Sequence, residues 1–195
     1  YYCSHKAEYT TQVQEVSDKV QKPGDEAQHP SETRVARFHL PEIPVTLKEP
    51  QQRAEYLALH YWDHYNFTDT ASIHSPGDTE QILSDYISIL PYVDRPALEG
   101  SVATLLSKAG EHRNMLLFFA GLLEKYLYDP NSPFRNEEYY LPALRFIETC
   151  PALDEVQKSR YLFQLTNVLK NRQGTIAADF AYRLHDGRKG RLHKI

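Results

Sequence analysis

The composition of the segment from Glu111 to Tyr128 favours a helix. Its apolar side chains would point in nearly every direction around the axis of that helix. A helix without a polar face is normally buried at the centre of its domain. The prolines of Asp129-Pro130-Asn131-Ser132-Pro133 end this helix, because proline cannot continue one. We therefore expect other helices to surround it. Its apolar members are Met115, Leu116, Leu117, Phe118, Phe119, Leu122, Leu123, Tyr126 and Leu127.

Apolar residues at helical spacing predict further helices on both sides of this segment. The predicted ranges are about 50–65, 79–90, 96–109 and 153–171, with another helix that contains Pro142 and ends near Thr149. Asp78 or Thr79 could cap the second helix, which follows a loop over 66–78. The predicted fold class is all-α, an irregular bundle of five to six helices. The inward faces are predicted as Ala54, Ala58, Tyr61 and Tyr65 in the first helix, Ile82, Leu83, Tyr86, Ile87 and Leu90 in the second, and Tyr161, Leu162, Leu165, Val168 and Leu169 in the last.

The two ends of the chain differ from this helical middle. Residues 1–37 are polar and predict a tail or linker with at most a marginal helix. From Phe38 to Leu47, apolar and polar residues alternate around two prolines, which predicts an extended strap. Near the C-terminus, Phe180 to Leu184 and Arg191 to Ile195 flank an Asp-Gly turn and predict a β-hairpin. Because an isolated hairpin is marginal in water, it must lean on the helices, fray, or pair with another chain.

Composition excludes several functions. The net charge of −4 gives no electrostatic basis for binding nucleic acid, and no apolar run is long enough to span a bilayer. The two cysteines, Cys3 and Cys150, are too far apart in sequence to form a Cys-x-x-Cys site, and Cys150 is expected to be a small buried residue. The chain does not begin with Met, so either a signal peptide was cleaved or the sequence was trimmed. Cys3 is a candidate for a lipid anchor, although a lipoprotein normally begins at the cysteine itself.

Four segments together resemble a bacterial domain of unknown function that precedes thioredoxin-like domains in exported proteins. They are His60-Tyr61-Trp62-Asp63, Phe67-Thr68-Asp69-Thr70, Glu124-Lys125-Tyr126-Leu127-Tyr128-Asp129-Pro130-Asn131-Ser132-Pro133 and Arg135-Asn136-Glu137-Glu138-Tyr139-Tyr140. The resemblance implies a helical accessory domain over 38–173, a cell-envelope location, periplasmic or at the outer membrane, and a neighbouring thioredoxin-like domain.

Residues 174–195 resemble the entry of that neighbouring domain, through Ala178-Asp179-Phe180 and the following turn. The Cys-x-x-Cys site expected further on is absent from this chain. The leading hypothesis is therefore a non-catalytic accessory domain, with no cofactor, that docks against or positions the thioredoxin-like domain.

The best candidate for an interaction surface is the proline-bounded segment from Tyr126 to Tyr140, because tyrosine and arginine favour interfaces. A peptide or a small envelope component bound there is the alternative function. A purely structural role is the competing interpretation: Asn131, Ser132 or Asn136 could cap the following helix, and its tyrosines could pack inward. The candidate residues are Tyr128, Asp129, Asn131, Arg135, Glu138 and Tyr139.

The sequence contains two weaker candidate sites. His60 and His64, spaced i and i+4, could reach one metal ion with Asp63 or Asp69, but they lie beside the apolar stripe where polar residues normally meet solvent. Aromatic residues around Trp62 could form a ligand-binding box, although such spacing more often indicates core packing. Glu137 and Glu138 point about 100° apart on a helix, a poor geometry for an acid–base pair.

Overall fold

The computed structural model describes residues 38–170, 172, 174, 176 and 179–192. The predicted tail over 1–37, with Cys3, and the last three residues of the predicted second strand lie outside this range. The described part is helical apart from one C-terminal hairpin, which confirms the all-α prediction. Its elements are α1 Pro50–His60, α2 Ala71–His74, α3 Gly77–Ile89, a 3₁₀ turn at Leu90–Tyr92, α4 Arg95–Ala109, α5 Arg113–Leu127, α6 Glu137–Thr149, α7 Glu155–Lys170, β1 Ala181–Arg183 and β2 Lys189–Arg191.

Helix α5 is the centre of the bundle, as its all-round apolar sequence predicts. Met115, Leu116, Phe119, Ala120 and Leu123 are fully buried in it. It packs against α4 and α6, while α6 in turn packs against α7. Burying so many large side chains on one helix makes α5 a large contributor to the hydrophobic stabilisation of the domain.

The predicted strap lies against an aromatic cluster at one end of α5. Trp62 is 1% exposed, and its ring centroid lies 5.3 Å from that of Phe119. Phe38 of the strap packs on Tyr61 with a centroid distance of 5.6 Å. Residues 38–49 form neither helix nor strand, and Leu40 is also packed against the core. The proline-rich strap therefore covers this aromatic cluster.

Helix α1 is shorter than predicted, because it ends at His60 instead of continuing to Tyr65. Beyond it, the amides of Asp63 and Tyr65 donate to the carbonyls three residues earlier, which is the pattern of tight turns. Tyr61 and Trp62 are both buried. Neighbours on a helix point about 100° apart, so the turns allow both large rings to enter the core.

The predicted 66–78 loop contains the four-residue helix α2, and α3 begins at Gly77. Neither Asp78 nor Thr79 caps α3, so that prediction is wrong. Both residues lie inside the first turn of α3, and the residue at the N-cap position is Pro76. The Thr79 hydroxyl instead shares a 2.8 Å hydrogen bond with Tyr65, which joins α3 to the segment after α1.

The last helix, α7, buries Tyr161, Leu165 and Val168, as predicted. Leu169 is exposed, so its predicted inward position is wrong. Helix α6 continues through Pro142 to Thr149, and Cys150, directly after it, is buried as expected.

The C-terminal hairpin forms, but its second strand starts earlier than the predicted Arg191. Ala181 pairs with Arg191, and Arg183 pairs with Lys189. The turn sets this register: Gly187 has a φ of +87°, a conformation that glycine adopts without strain. The Leu184 amide donates to the Arg188 carbonyl, which closes the turn and leads directly into β2.

Candidate functional site

The loop between α5 and α6, residues 128–136, is held rigidly by its own polar groups. The Asp129 carboxylate accepts a 2.8 Å hydrogen bond from the amide of Asn131. The Ser132 hydroxyl donates to the Tyr126 carbonyl and accepts from the Phe134 amide. The Asn136 amide donates to the Leu127 carbonyl at 3.0 Å, which joins the two ends of the loop. The prolines and these bonds give the loop one defined shape.

Asn136 is the residue that caps α6. Its side-chain oxygen accepts from the amides of Glu138 at 3.0 Å and Tyr139 at 3.3 Å. Of the three predicted candidates for the cap, the structure selects this one. Asn131 and Ser132 instead bond within the loop. The cap fixes where α6 begins, and therefore which side chains its first turn presents.

Glu138, in that first turn, is bonded by two arginines from other parts of the chain. Arg172 donates to both carboxylate oxygens, at 3.0 and 2.8 Å, and Arg95 donates to one of them at 2.9 Å. The hydrogen bonds from Arg172, and then those from Arg95, lower the pKa of Glu138 from its usual 4.5 to about 2. Arg95 also bonds Glu99 on its own helix. These four charged residues form one network, which we call the Glu138 clamp.

The tyrosines of the predicted surface pack against other parts of the chain more than they face solvent. The rings of Tyr128 and Tyr140 lie 5.5 Å apart, and the Tyr140 hydroxyl donates to the Gln164 side chain at 2.8 Å. Burial raises the pKa of both Tyr139 and Tyr140. Arg135 pairs with Glu137 two residues away. The fold thus brings the candidate residues onto one loop and one helix start, where Asp129, Asn131, Arg135 and Glu138 form polar contacts within the chain.

Sequence reasoning missed a polar network between α5, α6 and α7. Gln164 is buried on α7 and donates to Glu124 of α5, while its oxygen accepts from Tyr140 of α6. Arg160 pairs with the other oxygen of Glu124 at 2.8 Å. A signal existed: Gln164 directly precedes Leu165 and follows Tyr161 at helical spacing, on the inward face of α7. A buried amide at such a position needs partners, and these partners join three helices.

The two histidines of the weak metal candidate have different partners in the structure. His60 bonds Asp63 at 2.8 Å, whereas the ring of His64 stacks on that of His39 at 4.0 Å. Asp63 also accepts from Lys108 at 2.6 Å; burial acts to raise its pKa, but the hydrogen bonds from Lys108 and His60 lower it overall. In the described part of the chain, no group of three or more His, Cys, Asp or Glu residues is placed to hold a metal ion.

Trp62 is at the centre of the core, which favours the packing interpretation of the aromatic box. Its ring has edge-on neighbours in Tyr65, Tyr86 and Phe119, with centroids between 5.3 and 5.4 Å away. Its indole N–H finds no hydrogen-bond acceptor among the described residues.

Exposed large apolar side chains are concentrated toward the end of the described chain. Of the eight such residues, six lie at or beyond position 156. Val156 and Phe163 are seven residues apart on α7, so they lie on one side of it, opposite the buried face. The eight are Val45, Leu59, Val156, Phe163, Leu169, Ile176, Phe180 and Leu184.

The fold and site define a class: a compact α-helical domain that leads into a short β-hairpin, with a helix surface shaped by ion pairs. Within that class, the chain belongs to the family described as Domain of unknown function (DUF5106), whose profile matches residues 4–171. No helix in the described ranges combines the length and apolar character that a membrane crossing requires.

One solved structure is similar over most of the chain. It is the crystal structure of a thioredoxin-like protein from Bacteroides caccae ATCC 43185 at 1.90 Å resolution. The two share 40% sequence identity and superpose with a TM-score of 0.75, over 83% of this chain and 58% of that one. The chain therefore spans less than two thirds of its thioredoxin-like neighbour. No curated protein matches the chain.

Proposed function

We propose that this chain is a non-catalytic accessory domain of a thioredoxin-like protein, and that it packs against and positions the thioredoxin-like part of a longer polypeptide. Family membership and the similarity to a longer thioredoxin-like protein support this assignment. In that neighbour, about two fifths of the chain has no counterpart here. The docking partner is proposed to be that remaining part.

The observation that carries the proposal is the uneven distribution of exposed apolar side chains. Phe163 is 68% exposed on α7, and Ile176, shortly after that helix, is 85% exposed. Scattered apolar residues on a surface need no explanation, but a concentration of them marks a contact region. Three of the six exposed residues beyond position 155 lie on α7, and the other three lie within residues 174–195, the segment that resembles the entry of a thioredoxin-like domain.

The proposal is tested by titrating the 195-residue chain with the part of the thioredoxin-like neighbour that it does not match, followed by calorimetry. We expect saturable binding that weakens at least about tenfold in Phe163→Ser, which corresponds to about 1.4 kcal/mol. Val45→Ser is the control, since Val45 is also exposed, at 90% against 68% for Phe163, but lies on the strap. No binding, or equal weakening by both variants, would contradict the docking role.

Catalysis is tested separately. Cys150 is buried, and it is the one free cysteine among the described residues. We expect no catalytic reduction of insulin disulfides by this chain. Turnover that persists in Cys150→Ser would contradict a non-catalytic domain.

We also propose an exported protein of the cell envelope, on the strength of the family resemblance. Fractionation of cells that produce the full-length protein should recover it in the periplasm or the membrane-associated fraction. Recovery from the cytoplasmic fraction alone would contradict this location.

A further inference from the structure

The Glu138 clamp joins the helical domain to the segment that follows it. Arg172 lies two residues beyond the end of α7, on the path from the last helix toward the hairpin. Its guanidinium meets the Glu138 carboxylate side-on, with Nε on one oxygen and Nη2 on the other. This bidentate geometry fixes both the position and the orientation of the arginine more strictly than a single contact does.

The acceptor in this pair is itself held in place. Glu138 lies in the first turn of α6, whose start is set by the Asn136 cap, and a carboxylate there is favoured by the helix dipole. Arg95, at the start of α4, donates to the same carboxylate and is in turn bonded by Glu99. The segment after α7 is therefore attached to the starts of two other helices through one carboxylate.

The pair is also partly shielded from water. The Arg172 side chain is 23% exposed and that of Glu138 is 38% exposed. Ordinary surface pairs are weakened by solvent and by the entropy of two mobile side chains. Here the carboxylate has two cationic partners and lies on a capped helix. Its side chain is therefore already restricted, and the pair with Arg172 forms with a smaller loss of conformational entropy.

We propose that the Glu138 clamp sets the direction in which the chain leaves the helical domain, and so fixes the orientation of the following thioredoxin-like part. This inference rests on the proposed function. The clamp is a positioning device, in which Glu138 is the anchor, Arg172 is the tethered residue and Arg95 holds the anchor in place.

The test measures orientation in this chain alone. Spin labels at Ser159→Cys on α7 and Ile176→Cys, four residues beyond Arg172, in a Cys3→Ser, Cys150→Ser background, report by double electron–electron resonance the distance distribution between α7 and the segment that leaves it. We expect a narrow distribution. A released flexible segment samples a broad range of end-to-end distances, so Glu138→Gln should widen it about twofold.

Three further variants make the test specific. Arg172→Gln should widen the distribution at least as much as Glu138→Gln. Arg95→Gln keeps both bonds from Arg172 and should widen it less. Glu137→Gln is the matched control, because among the described residues the neighbouring carboxylate pairs with Arg135, two residues away, and its loss should leave the distribution unchanged.

Two results would overturn the clamp: a distribution in Glu138→Gln as narrow as in the parent, or equal widening in Glu137→Gln. Circular dichroism of each variant establishes that its helices are intact. Because no thioredoxin-like part takes part in this measurement, its failure is distinct from failure of the docking titration. A flexible segment combined with intact docking would reject the clamp alone, and a rigid segment without docking would reject the proposed function alone.

Discussion

The aromatic cluster around Trp62 buries its large apolar side chains, whereas the C-terminal end of the chain leaves several of them exposed. Around Trp62 and Phe119 every large ring has partners, and the strap covers the cluster. On α7 and the hairpin, Phe163 and Phe180 remain exposed, and the prominent bonds there are between charges. One region is covered within the domain, whereas the other leaves large apolar side chains exposed. The contrast separates residues that maintain the fold from residues that the proposed docking role would use.

The sharpest test of the contrast compares two phenylalanines. Phe119→Ala removes a fully buried ring beside Trp62, and we expect the free energy of unfolding to fall by about 3–5 kcal/mol. Phe163→Ala removes an exposed ring and should change it by no more than about 0.5 kcal/mol. Urea denaturation measures both. Equal losses would show that the outer face of α7 is part of the folding core.

A smaller effect on stability is expected in the polar network between α5, α6 and α7. Tyr140→Phe deletes the hydroxyl that donates to Gln164 and leaves a buried amide oxygen without that donor. We expect a loss of about 1–3 kcal/mol in the free energy of unfolding. Tyr128→Phe, in the neighbouring ring, is the control and should be close to neutral. A neutral Tyr140→Phe would mean that the network contributes no stability.

The cap of α6 tests which residues of the predicted surface have a structural role. Asn136→Ala removes both hydrogen bonds to the first turn of α6, so the chain should lose about 1 kcal/mol of stability. Asn131→Ala removes a side chain that donates to Asp129 in the same loop, and should cost less. Thermal denaturation of the two variants checks this ranking. The reverse ranking would place the start of α6 elsewhere.

The smallest effect concerns pH and the Glu138 clamp. Because the pKa of Glu138 is lower in the folded chain than its usual 4.5, the clamp stabilises the fold fully above that value and loses its effect as the pH falls toward about 2. For a partly exposed pair we expect at most about 1 kcal/mol. The difference in stability between the parent chain and Glu138→Gln should therefore shrink over this interval.

A carbon-detected NMR titration of the Glu138 carboxyl group follows the same process directly. Arg172→Gln should raise the pKa of Glu138, because Arg172 is the main cause of its lowering. A pKa that stays unchanged in Arg172→Gln would contradict the bidentate pair.

Much of the helical core could be predicted from the sequence, because its signals are local. The all-round apolar pattern identified α5 as central, and the Asp-Gly pair identified the turn at Gly187. The end of α1 could not be predicted in this way. Tyr61 and Trp62 leave the helix so that both rings meet partners such as Tyr86 and Phe119, which are distant in sequence.

The same distinction between local and long-range signals holds for the candidate site. The segment from Tyr128 to Tyr139 was identifiable because prolines, aromatics and a capping residue are adjacent in sequence. The two contacts that give Glu138 its role were not, since Arg172 and Arg95 lie 34 and 43 positions away. Spacing within a helix carries no information about such pairs. Whether the loop itself binds a partner stays a prediction.

The most direct test of the docking role compares Val156 and Val45, which are 83% and 90% exposed. Their methyl signals can be recorded with a soluble paramagnetic agent, first in this chain and then in a longer protein that includes the thioredoxin-like part. The paramagnetic relaxation of the Val156 methyl groups should fall in the longer protein, because this face of α7 becomes covered, while that of Val45 should stay unchanged. Unchanged relaxation of Val156 would contradict docking on this face.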